Sequence, residues 1–266
     1  MIEKKVPLRL SHINKLKVSG VIFVSILRKY GTTHPELIME LKKDSDIEDL
    51  ILVEDETSHT LTLGTKNRNG VVSQMSFGSN SIHVIGVNTG IIAGGDIITD
   101  KGKMPISEVS IEPIVIQLYV PELPKLRAKG CADITTGIFE QQTLNIKAKE
   151  CSNVTVLGGY FNHVKINASG QADIYLNGDE KQHCDCLTLN CSGQADFNGQ
   201  DFVASHAVVD ASGQSDVKVR TKDSISASAS GMSDIVIYGK PPKRSIKKTG
   251  MADVKFKGKY NNHGMM

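Results

Sequence analysis

Tryptophan is absent from this chain, and aromatic residues make up only 5% of its 266 positions. A globule organised around aromatic clusters is a poor fit to that composition. A narrow structure filled by Val, Ile, Leu and Ala suits it better, with 39% hydrophobic residues and 24 glycines. Long apolar runs are missing too. The most apolar early stretch, Val18 to Leu27, falls short of the roughly 20 residues a membrane-crossing helix needs and lacks a secretory-signal layout. The opening Met1-Ile2-Glu3-Lys4-Lys5-Val6 therefore leads to an expectation of a cytoplasmic protein with no transmembrane segment. Charge of one sign is also lacking: the formal net charge of +2 gives no global attraction to nucleic acid, and no specific nucleic-acid partner is expected.

What is present is repetition. Gly130-Cys131-Ala132-Asp133-Ile134, Gly170-Gln171-Ala172-Asp173-Ile174, Gly193-Gln194-Ala195-Asp196-Phe197, Gly213-Gln214-Ser215-Asp216-Val217, Gly231-Met232-Ser233-Asp234-Ile235 and Gly250-Met251-Ala252-Asp253-Val254 follow one template. Each is preceded by Lys, Ser or Thr. A degraded copy, Glu150-Cys151-Ser152-Asn153-Val154, fills the gap, so the intervals become 20, 20, 23, 20, 18 and 19 residues. A period near 20 signals stacked units, each too small to bury a face alone.

Within a repeat the parity is that of a strand. Val164, Ile166, Ala168, Gly170, Ala172, Ile174 and Leu176 share one face, while Lys165, Asn167, Ser169, Gln171, Asp173 and Tyr175 share the other. Large residues flank a small-Gly-small centre, which suits a corner where backbones approach closely. Twenty residues per turn leaves room for two or three short strands and excludes helix-containing repeats; the fixed Leu and Asn positions of leucine-rich repeats are absent. The expected fold is all-β, a single-stranded parallel β-helix. Right-handed coiling follows from the usual handedness of parallel crossovers and from the lack of hexapeptide repeats. Equivalent residues would stack at roughly 4.8 Å, forming outer ladders of Ser, of Gln or Met, and of Asp.

The Ser-Gly-Gln-Ala-Asp-Ile phrases, with Leu16-Lys17-Val18-Ser19-Gly20-Val21-Ile22-Phe23-Val24 and Val120-Pro121-Glu122-Leu123-Pro124-Lys125-Leu126, resemble the putative auto-transporter adhesin, head GIN domain family. The resemblance covers roughly residues 12 to 65 and 110 to 257. It implies a right-handed β-helix, often exported and anchored at bacterial surfaces, with no established catalytic activity. That runs against the cytoplasmic expectation.

The solenoid is expected to hold residues 1–257 as one domain, clearest over 130–257, with a polar tail at 258–266. Residues 66–108, rich in Gly, Asn and Ser, read as an insertion: a lobe of short hairpins or a loop. Leu50–Glu54 and Ser58–Leu63 read as early coils, and His34–Lys43 as either a helix or a buried strand.

The outer ladder Asp133, Asp173, Asp196, Asp216, Asp234 and Asp253 is the candidate binding site, with Asn153 in line. Carboxylates about 5 Å apart repel by only about 0.8 kcal/mol in water. Each is expected to accept backbone N–H bonds at its own corner. A cation ladder is disfavoured because one Asp per turn supplies few oxygens. Retaining glycosidases hold two carboxyl groups about 5 to 5.5 Å apart, but catalysis needs unlike environments, and a ladder repeats one. No catalytic residue, cofactor or metal is expected. Cys131 and Cys151 occupy equivalent places within disulfide range. His183-Cys184-Asp185-Cys186, with Cys191 nearby, lacks the second Cys-x-x-Cys or His pair that would close a zinc site. Between Lys218 and Lys259, eleven Lys or Arg face Asp223, Asp234 and Asp253, a local +8.

The leading functional reading is a non-enzymatic scaffold or adhesin-like module presenting Ser, Gln and Asp ladders to a protein or glycan partner. The alternatives are a polysaccharide-active β-helix enzyme using ladder carboxylates, and anionic-polymer binding through the basic C-terminal end. Oligomeric state is left open.

Overall fold

The computed structural model describes residues 2–31, 34–41, 50–65, 114–179 and 181–258, together with the strands Ser73–Phe77, Asn80–Val84, Ile91–Ala93, Asp96–Thr99 and Gly102–Pro105. Every regular element among these residues is a strand. The chain winds as a β-solenoid of about seven turns, roughly 20 residues each.

Two long ladders run along the axis, one on each side of the repeat glycine. After the glycine, Ala132–Thr136 pairs in parallel with Ile22–Arg28 on one side and Asn153–Val156 on the other. The stack continues through Asp173–Leu176, Asp196–Ala211, Asp216–Ala229 and Asp234–Tyr238 to Asp253–Lys257. Before the glycine, Thr60–Thr65, Lys15–Ser19, Lys125–Lys129, Phe139–Glu150, Gly159–Gly170 and His183–Gly193 stack in the same sense. They lead on to Asp196–Ala211, Asp216–Ala229 and Lys243–Lys248.

The alternation read from sequence decides what lies inside. Leu61, Leu16, Leu126, Ile146, Ile166, Leu189, Val209 and Ala227 form one inward column of buried residues. Val24, Ile134, Val154, Ile174, Phe197, Val217 and Ile235 form another. Each Val, Leu, Ile or Phe among them contributes about 1.5–3 kcal/mol through burial. A repeat gains that only when a neighbour covers it.

The corner has its own requirement. Gly213 has φ +82, and a Cβ there would lie 2.5 Å from the Gly193 carbonyl oxygen of the turn before. Both the left-handed backbone and the close stack exclude a side chain. The degraded copy shows the cost of departing from glycine: Glu150 holds φ +63. Its carboxylate accepts from the Gly130 amide at 3.1 Å and pairs with Lys129 at 3.4 Å, partly offsetting the strain.

The structure adds a copy and revises the N-terminal expectations. Gly20-Val21-Ile22-Phe23 stacks on Gly130-Cys131-Ala132-Asp133, with Gly20 at φ +89 and Phe23 in the Asp place. Leu50–Asp55 pairs antiparallel with Thr60–Thr65, so it is not the parallel coil expected of it. The segment left between helix and strand forms the strand Glu36–Leu41, antiparallel to Ile114–Val120 and to Ile2–Val6. Parity cannot separate parallel from antiparallel partners, because both bury every second residue. In the 66–108 segment the described backbone forms hairpins: Ser73–Phe77 with Asn80–Val84, and Ile91–Ala93, Asp96–Thr99 and Gly102–Pro105 as an antiparallel trio. The tail beyond residue 258 lies outside the described residues.

Candidate functional site

The expected carboxylate ladder forms in register. Asp133 is opposite Asn153, Asn153 opposite Asp173 and Asp173 opposite Asp196; Asp216 is opposite Asp234 and Asp234 opposite Asp253. Phe197 opposite Val217 aligns the remaining pair. Among the described residues, Asp253 alone is seen to accept an amide of its own corner as expected; Asp196 is held differently. Asp196 Oδ1 accepts from the Asp216 amide at 2.9 Å, one turn further on. Asp253 accepts from the adjacent Val254 amide at 2.8 Å and pairs with Lys248 and Lys255 at 3.4 and 3.0 Å. The corner amides are already committed: Asp173, Asp196, Asp234 and Asp253 donate to Ser152, Ala172, Ser215 and Ser233 carbonyls of the turn before. Corner closure falls to the buried serines. Ser233 Oγ donates to Ser230 O at 2.9 Å and accepts from Ser230 N at 3.2 Å.

The ladder members also differ from one another, contrary to the uniform environment expected. Burial raises the Asp133 carboxyl above the usual carboxylate range. Burial and the Asp196 charge raise Asp173. Asp216 is raised by burial, then by Asp196 and Asp234, with Lys218 opposing. Asp253 is lowered, chiefly by its bond to Lys255. Carboxylates are crowded mid-ladder and neutralised at the C-terminal end. Tyr175, Asn198 and Lys218 stand beside the mid-ladder acids, around a depression of about 120 Å³.

Two positions before the Asp column, on the same outward parity, runs an amide ladder. Cys151 Sγ donates to Gln171 Oε1 at 3.3 Å, Gln171 Nε2 to Gln194 Oε1 at 3.2 Å, and Gln194 Nε2 to Gln214 Oε1 at 3.0 Å. The row ends in the exposed Met232 and Met251. Ladder amides and carboxylates together make a flat, regular, hydrogen-bonding face.

The cysteines separate by strand parity. Cys184 and Cys191 point into the core, and burial pushes both thiols up to about 12. Cys131 and Cys151 are free thiols on neighbouring turns; burial, then the Cys151 charge, pushes Cys131 up to about 11. His183 and Asp185 lie on the side opposite Cys184, and no cluster of metal-ligating side chains occurs among the described residues.

At the basic end, Arg244 stacks over Phe256 at 4.5 Å and donates to Pro241 O at 2.7 Å, while Lys248 and Lys255 engage Asp253. Part of the local +8 is therefore used within the solenoid.

A concave feature went unread in the sequence. Gln142-Thr143, Asn162-His163 and Asp185-Cys186 each place two consecutive side chains away from the core, breaking the strand parity. The chain bends there, and the bends stack into a groove of about 670 Å³. The doubled outward position was the available signal.

Comparison with known proteins agrees with this architecture. The model of the family described as "Putative auto-transporter adhesin, head GIN domain" matches residues 86–241, beginning inside the segment read as an insertion. A crystal structure described as a putative adhesin from Bacteroides fragilis superposes with TM-score 0.68 at 17% identity, covering 96% of each chain. A putative adhesin from Parabacteroides merdae gives 0.59 at 12%, covering 96% of this chain and 95% of that one. A putative lipid binding protein from Parabacteroides distasonis gives 0.58 at 15%, covering 95% and 96%. At these identities the likeness establishes the fold. No curated protein matches the chain.

Proposed function

Because the chain belongs to the putative auto-transporter adhesin, head GIN domain family, we propose that it is a non-enzymatic, adhesin-like binding module whose Ser, Gln and Asp ladders meet a protein or glycan partner. The hydrogen-bonded row Gln171–Gln194–Gln214 carries this reading. Amides already ordered by their neighbours lose little side-chain entropy on contact, so a partner meets a preorganised surface. The Asp column beside it adds acceptors at the same spacing. A family of this description also favours placement outside the cell over the cytoplasm; no helix among the described residues is long and apolar enough to cross a membrane.

The observed inequality along the Asp column keeps the enzyme alternative testable. The carboxylates lie on an outward strand face, and the depression beside Tyr175 measures about 120 Å³. Water exclusion around a reacting centre has no structural basis there. The discriminating experiment immobilises the full chain and measures its binding to purified extracellular-matrix proteins and glycans, alongside release of reducing ends from polysaccharides. The expected result is binding without turnover, reduced at least tenfold by combined Gln171→Lys, Gln194→Lys and Gln214→Lys changes. Polysaccharide cleavage lost in Asp196→Asn and kept in Asp253→Asn would establish the enzyme instead.

A further inference from the structure

The stacked bends form a groove away from the Gln–Asp face, and its lining is ordered by the same register. Glu140 is opposite Tyr160, and Gln141 opposite Phe161, which is opposite Cys184. Two outward rows therefore run parallel to the solenoid axis: Glu140, Tyr160 and His183 in one, Gln142, Asn162 and Asp185 in the other. Tyr160 is 37% exposed, and its ring meets His183 edge-on at 5.6 Å between centroids. The ring is thus braced while still open to the groove.

One wall is fixed by Gln141. Its Oε1 accepts from the Leu123 amide at 2.9 Å, and its Nε2 donates to the Leu123 and Thr143 carbonyls at 3.1 and 2.6 Å. By contrast, the side chains of Gln142, Asn145 and Asn162 have no hydrogen-bonding partner among the described residues. Free amides and carboxylates around a braced aromatic ring are suited to a ligand dense in hydroxyl groups. The ring receives the apolar face of such a ligand, and the amides both donate and accept.

We propose that this groove binds a linear, uncharged polysaccharide lying along the solenoid axis. Its volume falls within the range of ligand sites, roughly 300–1,000 Å³, but its lining is polar where a drug-like pocket is apolar. The rows repeat at about the 4.8 Å strand spacing, close to the length of one sugar unit in an extended chain, so each rung can meet one sugar, with Glu140 and Gln142, Tyr160 and Asn162, and His183 and Asp185 as its partners. Glu122, Glu140 and Asp185 against Lys125 leave the lining at net −2 with His183 neutral. That sign opposes uronate or sulfate polymers. Strand addition by a peptide is confined to one edge: Gly159–Gly170 is paired on both sides, and in Phe139–Glu150 only residues 146–148 are paired on the side away from it, so gelatin is the control for that edge.

The test is affinity electrophoresis of the full chain through gels containing hydroxyethyl cellulose, soluble mannan or arabinoxylan, with alginate, heparin and gelatin in parallel. Retardation by at least one neutral polysaccharide, and by none of the other three, is expected. Tyr160→Ala and Asn162→Ala should each weaken it tenfold or more, whereas Tyr160→Phe retains most of it, guarding against a folding defect in the alanine variants. Retardation that is lost with combined Gln171→Lys, Gln194→Lys and Gln214→Lys but kept in Tyr160→Ala would place the polysaccharide on the Gln–Asp face and overturn the groove. No retardation by any neutral polymer, retardation only by polyanions or gelatin, or indifference to Tyr160→Ala in a folded variant would overturn the proposal.

Discussion

Crowding of carboxylates is the feature most open to measurement residue by residue. Asp173 sits half-buried with Asp196 one turn away, and both burial and that charge raise its carboxyl in the folded state. A folded-state value raised above the unfolded one means the native protein holds the proton more tightly. Asp173 therefore favours folding below the usual carboxylate range, and that contribution is lost as pH rises through the raised folded value. Asp173→Asn removes the charge while keeping the shape, as the natural Asn153 does one turn earlier. Urea denaturation should show Asp173→Asn more stable than the parent at pH 7. Repulsion by Asp196 accounts for about 0.8 kcal/mol of the gain at a water-like dielectric, and release of the buried charge adds to it. Near pH 3 the difference should vanish. Asp253 behaves oppositely: Lys255 lowers its carboxyl, so its contribution is present at neutral pH and lost as pH falls through the lowered folded value.

Corners and strands were unequally legible. The six glycine phrases, the degraded copy at Glu150 and their parity were enough to place the Asp column, since a strand period of two assigns every side chain once one residue is known to face inward. Ser19-Gly20-Val21-Ile22-Phe23 escaped because it stands far from the next copy in sequence and carries Phe23 where the others carry Asp or Asn. The pairings of Ile2–Val6 and Glu36–Leu41 escaped because partners distant in sequence leave no local mark, whereas Leu50–Asp55 forms a hairpin with the adjacent Thr60–Thr65 and was read as a coil because parity does not separate antiparallel from parallel strands. The groove escaped because alternation in that repeat was read only from Val164 onward, past Asn162-His163 where the chain bends. How the Asp196 carboxylate is satisfied was also misjudged, since the carbonyls of the preceding turn take the corner amides first. The corner itself makes a sharp prediction. Gly213→Ala forces a side chain into left-handed backbone, costing roughly 1–2 kcal/mol, and sets its Cβ against the Gly193 carbonyl oxygen. Chemical denaturation should show a loss of at least about 2 kcal/mol; an unchanged midpoint would mean that neighbouring corners do not stack as described.

At the scale of the whole molecule, the Gln–Asp face and the groove share one origin: each turn repeats the last, so one outward residue becomes a row. Stability has the same origin, because inward columns from Val24 to Ile235 are covered only by their neighbours above and below. Rung-by-rung stacking is therefore the claim on which both binding surfaces depend. It is tested most directly by pulsed electron resonance distances between spin labels carried on unnatural amino acids, which leave the native cysteines intact. One protein is labelled at positions 133 and 253, a second at positions 173 and 253. At the strand spacing of about 4.8 Å, the first pair should be separated by about 29 Å and the second by about 19 Å, so the difference of about 10 Å is independent of label length. Equal distances in the two proteins, or broad distributions without that increment, would contradict the stacked solenoid and both surfaces built on it.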